Sequence, residues 1–367
     1  MKAVAVSPQE RSVALLDIDR PRLARPGDVL LRVLDVGICG TDREICHFDY
    51  GTPPGGSPHL VLGHEALAQV VETGAAVTGL ATGDLVVPMV RRPCDVAECA
   101  PCRARRQDFC TTGRFTERGI KEAHGFMTEL IVEDAQYLVP LDPALREIGV
   151  LVEPLTIAEK ALAQVWQIQR RLPWGRGGAQ PGHGLNAVVL GAGPVGLLGA
   201  MKLRAAGFTT YVYARTPAPN VRAALAERIG ARYVSSETVA PRDLPQLAGS
   251  IDLVYEAVGA SQVAFEVLQH LGTNGVFVFT GVPGRKGPVS IDTDAIMRNL
   301  VLRNQVVLGS VNAGRDAFEE AARDLVRFEE LWPGALAQMI TGRFPAEAHG
   351  ELLLGRAEGI KNVVRLG

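Results

Sequence analysis

The sequence predicts an α/β protein that combines a β-rich domain with a doubly wound parallel-sheet domain. The first observation is length, because 367 residues exceed what one hydrophobic core usually serves and so favour two domains. The second is the residue pattern of roughly the first 150 positions, where short β-branched runs are broken by Gly, Pro and Asp. The third is an alternation of strands and helices from Leu185 to about Asn312, which is typical of a parallel sheet.

Composition excludes several classes of function. The chain has 38 Lys and Arg against 40 Asp and Glu, a net charge of -2, with no long block of like charges, so nucleic acid is not an expected partner. No apolar stretch reaches the roughly 18 residues of a membrane span, and the start MKAVAVSPQERSV lacks the apolar core of a signal peptide. We expect a soluble cytoplasmic protein whose six cysteines are reduced and serve metal binding or catalysis.

Changes of pattern give the expected domain limits. Apolar residues from Glu153 to Arg171 recur at helical spacing, and the Gly- and Pro-rich stretch from Pro173 to Gly184 indicates a loop or linker. After Ala313 an amphipathic helix and a final KNVVRLG strand are expected to return to the first domain. The predicted domains are residues 1–184 with 313–367, including a cysteine-rich lobe at about 91–112, and residues 185–312.

A glycine-rich turn joins the first strand of the second domain to its first helix. In this context the first glycine permits a tight turn, the second lets the backbone approach a pyrophosphate, and the third lets helix pack on strand. The turn therefore predicts a dinucleotide site, although a glycine-rich turn without a ligand is the alternative. Its six residues are Gly191, Ala192, Gly193, Pro194, Val195 and Gly196.

The end of the second strand bears on which dinucleotide binds. NAD-selective folds carry an Asp or Glu about 20 residues after the turn, but here the strand ends Ala214-Arg215-Thr216. An arginine can pair with the 2′-phosphate of NADP, so NADP is favoured over NAD. The alternative is that Arg215 is a surface arginine and both cofactors are accepted.

Two groups of residues predict metal sites. One has the spacing C-x4-C-x2-C-x7-C, which suits a closed, tetrahedral structural zinc that stabilises a lobe with little core of its own. The other is dispersed and would form an open zinc site with S, N and O ligands, leaving room for water or a substrate oxygen. The structural ligands are Cys94, Cys99, Cys102 and Cys110; the catalytic ligands are Cys39, His64, Glu65 and Glu153.

The motifs VGICGTD, GHE, the four-cysteine lobe and GAGPVG, in this order, resemble the zinc-containing medium-chain alcohol dehydrogenases over nearly the whole chain. Longer strings, among them RRQDFCTTGRFTERGI and VEPLTIAEKAL, resemble the archaeal-type glucose 1-dehydrogenase group. The resemblance implies a GroES-like catalytic domain, a Rossmann NADP-binding domain between its two segments, and assembly into a homodimer or homotetramer.

The resemblance also implies roles for single residues. Cys39 and His64 become zinc ligands, with Glu65 and Glu153 supplying exchangeable or water-bridged coordination, and Thr41 relays the substrate proton. Glu117 and Asn312 match positions that contact the sugar. The expected backbone contacts to the cofactor are Phe279, Thr280, Gly281, Val311 and Asn312.

Four departures from that group bear on substrate and metal. Val90, Ile157 and Leu302 stand where the group carries polar sugar-binding side chains, so glucose is in doubt and a more apolar molecule is favoured. The x4 spacing after Cys94 is wider than usual, which leaves the first ligand less certain. His47 is interpreted as a surface or structural residue, and Cys46 as a packing residue.

The predicted function is zinc-dependent, NADP-linked hydride transfer between the nicotinamide and a small alcohol, polyol, aldose or carbonyl compound. One alternative is reduction of an activated C=C or C=N bond in specialised metabolism on the same fold. Another is a binding or sensory protein without catalysis.

Overall fold

The computed structural model describes residues 1–173, 180–284, 287–355 and 358–366. Part of the predicted linker, residues 174–179, lies outside the described residues. The chain divides into two compact units: unit 1 comprises Met1–Thr156, Asn312–Val326 and Ile340–Gly367, and unit 2 comprises Ile157–Val311 and Arg327–Met339.

These units differ in three places from the segments expected from the sequence. Residues 157–184 and Arg327–Met339 belong to unit 2, whereas the predicted boundaries assign them to the first domain. Asn312 belongs to unit 1 and was expected in the second domain. Hydrogen bonds explain the second difference: Arg327 donates to the carbonyl of Ala205 at 2.8 Å, and Arg228 donates to the carbonyl of Pro333.

Unit 1 is rich in β-structure, as its alternating apolar runs predict. Its helices are α1 (Gly40–Cys46), α2 (Ala100–Arg103) and α11 (His349–Leu354). Its strands are β1 (Lys2–Ser7), β2 (Ser12–Asp17), β3 (Asp28–Gly37), β4 (Leu60–Val61), β5 (Glu65–Thr73), β6 (Leu85–Pro88), β7 (Arg91–Arg92), β8 (Thr116–Arg118), β9 (Glu122–Ala123), β10 (Leu130–Asp134), β11 (Leu138–Leu141), β18 (Ile340–Pro345) and β19 (Lys361–Arg365).

Strand β3 is the centre of the largest sheet of unit 1. Nine of its ten residues are buried, with only Arg32 exposed, because it pairs antiparallel with β5, β10 and β19. The run LVLGHEALAQVVET divides into β4 and β5, and the break between them, residues 62–64, carries His64. The sheet thereby places the end of β3 beside the start of β5, where Gly37 pairs with Glu65.

Unit 2 alternates strands and helices. Two further helices span the limits of the units, α3 (Val152–Gln169) and α9 (Arg315–Leu331). The elements of unit 2 are β12 (Asn186–Leu190), α4 (Pro194–Ala205), β13 (Thr209–Ala214), α5 (Val221–Arg228), β14 (Arg232–Ser235), α6 (Leu244–Ala248), β15 (Leu253–Glu256), α7 (Ser261–Leu268), β16 (Val276–Phe279), α8 (Thr293–Leu302), β17 (Val306–Gly309) and α10 (Ala335–Met339).

The sheet of unit 2 is parallel throughout, in the order β14-β13-β12-β15-β16-β17. The first strand in sequence lies in the middle and the chain winds outward on each side, which is the arrangement of dinucleotide-binding sheets. Strand β14 is not among the strands predicted from the sequence. The α/β fold class is confirmed, and none of the described helices is both long and apolar enough to cross a membrane.

Candidate active site

Three predicted metal ligands come together where β3 ends and β5 begins. Cys39 immediately precedes α1, His64 lies in the break before β5, and Glu65 is the first residue of β5. One donor atom from each of the three lies within 4.8 Å of the others. His64 is 5% exposed and Glu65 1% exposed, so a sulfur, a nitrogen and an oxygen donor converge in a nearly dry site.

Glu153 is not part of this group of three but lies close enough to interact with it. It is buried in the first turn of α3. Burial raises the pKa of its carboxyl to about 8, and Glu65 raises it further, while His64 and Lys361 act in the opposite direction. The neutral form is therefore accessible near neutral pH in the metal-free chain.

Asp42 and Lys361 hold these donors in place, and the sequence alone assigned neither a role. Asp42 is fully buried; it accepts a hydrogen bond from the backbone N–H of Cys39 at 2.9 Å, and its Oδ1 lies 3.3 Å from Nδ1 of His64. Lys361 is 1% exposed, contacts the Glu65 carboxylate and donates to the carbonyl of Ile38 at 2.9 Å. When a histidine binds a metal through one ring nitrogen, an Asp beside the other ring nitrogen fixes the orientation of the ring.

The remaining residues around α1 differ in their surroundings. The Thr41 hydroxyl lies 4.0 Å from the Cys39 sulfur. His47 is exposed, and its Nδ1 lies 2.7 Å from the carbonyl of Arg43. Cys46 is buried, and burial raises the pKa of its thiol to about 12, which suits a packing residue.

Glu117 is held by a cation and an amide. Its Oε1 accepts hydrogen bonds from Nε of Arg91 at 3.0 Å and from Nδ2 of Asn312 at 2.8 Å, and a second Arg91 nitrogen lies 2.9 Å away. The structure thus joins Glu117 and Asn312, 195 residues apart, as the predicted substrate contacts require. Arg91, for which the sequence pattern predicts no role, has a side chain that is 8% exposed.

The three apolar substrate positions have different environments. Val90 is 3% exposed and Leu302 is 71% exposed. Ile157 is partly buried and lies one turn after Glu153 on α3, so both face the same side of that helix. The contact of these three side chains with a substrate stays a prediction.

The cysteine-rich lobe brings its four thiols together. All four sulfur atoms lie within 4.8 Å of one another, with Cys94 and Cys102 3.6 Å apart and Cys99 and Cys110 3.9 Å apart. The x4 spacing does not keep Cys94 away from the others. Backbone hydrogen bonds lower the pKa of the Cys99 thiol to about 6, whereas burial raises the pKa of the Cys102 thiol to about 12.

The glycine-rich turn has the geometry that each of its glycines predicts. Gly191 has a φ of +107°, and a Cβ on Gly196 would lie 2.1 Å from the carbonyl oxygen of Gly191. A Cβ on Gly193 would meet nothing within 4 Å, so the backbone at the start of α4 faces open space. Arg215 directly follows β13 and is exposed, and its carbonyl accepts a hydrogen bond from Ser235 at 2.6 Å.

Glu256 fixes the loops that carry the other predicted cofactor contacts. It is 1% exposed, and its carboxylate accepts backbone hydrogen bonds from Val258 at 2.8 Å, Gly259 at 2.7 Å and Gly281 at 3.1 Å. The Thr280 hydroxyl donates to the Glu256 carbonyl at 2.7 Å. One buried carboxylate therefore ties together the loops after β15 and β16, a role that the sequence pattern does not show.

Two family models match the chain. The model of the alcohol dehydrogenase GroES-like domain matches residues 25–143, and that of the glucose dehydrogenase C-terminus matches residues 146–366. Among curated proteins, glucose 1-dehydrogenase of Methanocella arvoryzae is 37% identical over the whole of both chains. Glucose 1-dehydrogenase of Thermoproteus tenax is 40% identical and covers 100% of this chain and 99% of its own.

The chain belongs to the glucose 1-dehydrogenase family. A solved structure of the Haloferax mediterranei glucose dehydrogenase, a complex with NADP, Zn and gluconolactone, has a TM-score of 0.89 and 33% identity, covering 100% of this chain and 99% of that one. As a member of this family of zinc-containing medium-chain dehydrogenases, the chain is an oxidoreductase, which confirms the resemblance and the enzyme class expected from the sequence.

Proposed function

We propose that this family member is a zinc-dependent, NADP-linked dehydrogenase of a small alcohol, polyol or aldose. The convergence of Cys39, His64 and Glu65 within 4.8 Å in a buried site carries the proposal. A thiolate, an imidazole and a carboxylate are the usual ligands of zinc. The relatives named glucose 1-dehydrogenase support the reaction class.

The residues present fit a zinc ion at each of two positions. Cys39, His64 and Glu65 would hold a catalytic ion, with Glu153 near enough to replace a ligand. A bound zinc supplies a Lewis acid that stabilises negative charge on the substrate oxygen. The four cysteines of the lobe would hold the structural ion.

The turn at Gly191–Gly196 and the arginine after β13 fit NADP. Open space at Gly193 would let backbone N–H groups at the start of α4 reach a pyrophosphate, and the exposed Arg215 at the end of β13 would pair with a 2′-phosphate. NADP supplies the hydride acceptor. We propose that Gly281 and its neighbours, fixed by Glu256, contact the nicotinamide end.

The chain's own residues orient the substrate and remove its proton. We assign the proton relay to the hydroxyl of Thr41, because a hydroxyl can accept and donate together. Glu117 and Asn312, already joined by a hydrogen bond, would bind substrate hydroxyls. Apolar side chains at Val90, Ile157 and Leu302 would weaken the binding of a fully hydroxylated ring, so within this class we propose a preference for deoxygenated or partly apolar alcohols.

Turnover with purified, zinc-loaded protein tests the proposal. A panel of aldoses, polyols, aliphatic and aromatic alcohols and enals is assayed with NADP and with NAD. We expect oxidation of one or more alcohols, at least tenfold more efficient with NADP, and Arg215→Ala to remove most of that preference. Cys39→Ser should lower kcat at least a hundredfold while the Kd for NADP changes little.

Metal analysis separates the two zinc sites. The wild type should contain two zinc ions per chain, and Cys39→Ser and Cys99→Ser about one each; only Cys99→Ser should lower the melting temperature by several degrees, because its zinc stabilises the lobe. Full turnover of a zinc-free protein would contradict the mechanism. Activity confined to enals would favour the alternative reduction of C=C bonds.

Assembly and location belong to the same proposal. We propose a homodimer or a homotetramer, as the family resemblance implies, in the cytoplasm and with small molecules as the only substrates. Exposed apolar side chains on α8 and beside β17 support an association of this kind.

A further inference from the structure

A cavity in unit 1 has no part in the proposed reaction. Its volume is about 540 Å³, large enough for a small metabolite. Apolar side chains, including Ile18, Val61 and Leu130, form much of its wall. Three basic side chains also line it: Arg118, His59 and His124.

Arg118 is the unusual member of this group. Its side chain is only 17% exposed, yet among the described residues its guanidinium makes no hydrogen bond. Its charged neighbour is Glu133, 3.3 Å from Nε in a geometry that leaves Nε without a hydrogen bond, and Glu133 is shared with Arg92. Arginine has five N–H donors, and a buried cation normally has its donors satisfied.

The two histidines add hydrogen-bond donors. Their rings stack with centroids 5.4 Å apart, and Nδ1 of His124 accepts the backbone N–H of Val61 at 3.2 Å, so Nε2 carries the proton of the neutral ring. Burial lowers the pKa of His124, and the charges of His59 and Arg118 lower it further. Asp17 and Asp19 also line the cavity, but both are exposed to solvent.

The cavity is separate from the proposed substrate position. Arg118 follows Glu117 in β8, and neighbouring side chains of a strand point to opposite sides. The far wall is the segment before His64, held by backbone hydrogen bonds from Gly125 to Val61 at 2.7 Å and from Phe126 to Gly63 at 2.9 Å. An occupant would thus contact the reverse side of two segments that carry active-site residues.

We propose that this cavity binds the phosphate or carboxylate group of a small molecule, with Arg118 as its principal contact and His59 and His124 beside it. An oxyanion accepts from several guanidinium N–H groups at once, which would satisfy the donors that the described chain leaves free. The apolar wall would receive the remainder of such a ligand.

Calorimetric titration of the zinc-loaded chain tests the proposal. The protein is saturated with NADP, so that the proposed phosphate position at Arg215 is occupied, and is titrated with potassium phosphate and with potassium acetate at an ionic strength held constant with KCl. We expect saturable binding of one anion per chain. Tighter binding of phosphate would assign the occupant a phosphate group, and tighter binding of acetate a carboxylate.

Variants decide where the anion binds. Arg118→Gln should weaken binding at least tenfold, while Arg242→Gln, at a side chain that is 81% exposed and outside the cavity, should leave it unchanged. If Arg118→Gln does not fold, His59→Gln replaces it, because the His59 ring makes no hydrogen bond to the described residues; a severalfold loss is expected. Absence of saturable binding, or affinity unchanged in the cavity variants, would overturn the proposal.

Discussion

At the scale of single residues, a buried ion pair sets the position of Glu65. A Cβ at Gly37 would lie 2.3 Å from Oε2 of Glu65 and 2.7 Å from Cε of Lys361, so glycine is required where these side chains pass the end of β3. Lys361 belongs to the last strand of the chain and Glu65 to β5, and β3 lies between them. The pair therefore connects β5 to β19 across β3, next to the proposed metal ligands.

Removing the cation of this pair should be costly. In the metal-free protein, Lys361→Met leaves the Glu65 carboxylate buried and unpaired, which we expect to lower the free energy of unfolding by about 3–5 kcal/mol. The double variant with Glu65→Gln should recover a large part of the loss, because the uncompensated charge is gone. Urea unfolding of both single variants and the double variant measures this coupling, and strictly additive losses would contradict it.

Asp28 gives a prediction about acid stability. It is 2% exposed and accepts hydrogen bonds from the backbone of Arg25 at 2.9 Å and from Nε of Arg25 at 3.0 Å. Burial by itself would raise the pKa of Asp28. The hydrogen bonds from the Arg25 side chain and from the backbone outweigh burial and hold the pKa below 3.8. Because the folded-state pKa is the lower one, the stabilisation is present above the unfolded-state value and is lost as pH falls through the folded-state value.

We expect Asp28→Asn to lower the free energy of unfolding by about 1.5–3 kcal/mol at pH 7, with the difference from wild type shrinking below about pH 4. Urea titrations between pH 7 and the acid limit of the fold measure it. Asp17→Asn, at a side chain that is 77% exposed, is the control and should follow the wild type at every pH. A constant Asp28→Asn deficit across this range would show that charge plays no part.

The sequence indicated the candidate metal ligands, but it did not indicate the buried charged residues that fix the site. Cys39, His64 and the four cysteines of the lobe have side chains whose chemistry indicates a role wherever they occur. Asp42, Lys361, Arg91 and Glu256 are ordinary charged residues in the sequence, and only burial against a partner shows their function. Lys361 contacts a residue 296 positions earlier, and no local pattern records such a distance.

At the scale of elements, long and strongly patterned segments were predictable. Helices α3 and α9 and the strands β12, β13, β15, β16 and β17 lie where the apolar pattern predicts them. The strands that were not predicted are β1, β2, β7, β8, β9, β14 and β18. The segments RYVS of β14 and ITGRFP of β18 contain no apolar run longer than two residues, so neither shows the pattern that marks a strand.

The glycine-rich turn offers a matched pair of variants. At Gly193 an added methyl group meets open space and φ is −78°, so Gly193→Ala should leave the free energy of unfolding unchanged within about 0.5 kcal/mol and raise the Kd for NADP at least tenfold, by blocking the approach of pyrophosphate. At Gly196 the methyl group would meet the Gly191 carbonyl, so Gly196→Ala should lower stability by about 1–3 kcal/mol.

Urea unfolding and fluorescence titration with NADP measure both effects. If Gly193→Ala and the wild type bind NADP with equal affinity, the pyrophosphate does not bind at this turn. Equal stability of Gly196→Ala and the wild type would show that α4 can move away from β12 without cost, against the packing role of the third glycine.

At the scale of the whole molecule, the exposed apolar residues near the edge of the parallel sheet call for an explanation. Strand β17 is the last strand of its sheet, and an edge strand presents unpaired backbone groups that invite another chain. Helix α8, which precedes β17, has no buried residue. Its exposed apolar side chains are Met297 at 63%, Val301 at 70% and Leu302 at 71%.

A second copy of the chain would cover this face by an association around a twofold axis. We expect the wild type to be a dimer or a tetramer by light scattering, and Leu302→Glu to reduce its mass to that of a smaller species, because a carboxylate would be buried without a partner. Leu354→Glu, at an exposed apolar residue of unit 1 (52%), is the control and should keep the wild-type mass. The same variant tests the substrate position: if Leu302 contacts substrate rather than a second copy, Leu302→Glu changes KM while the mass stays constant.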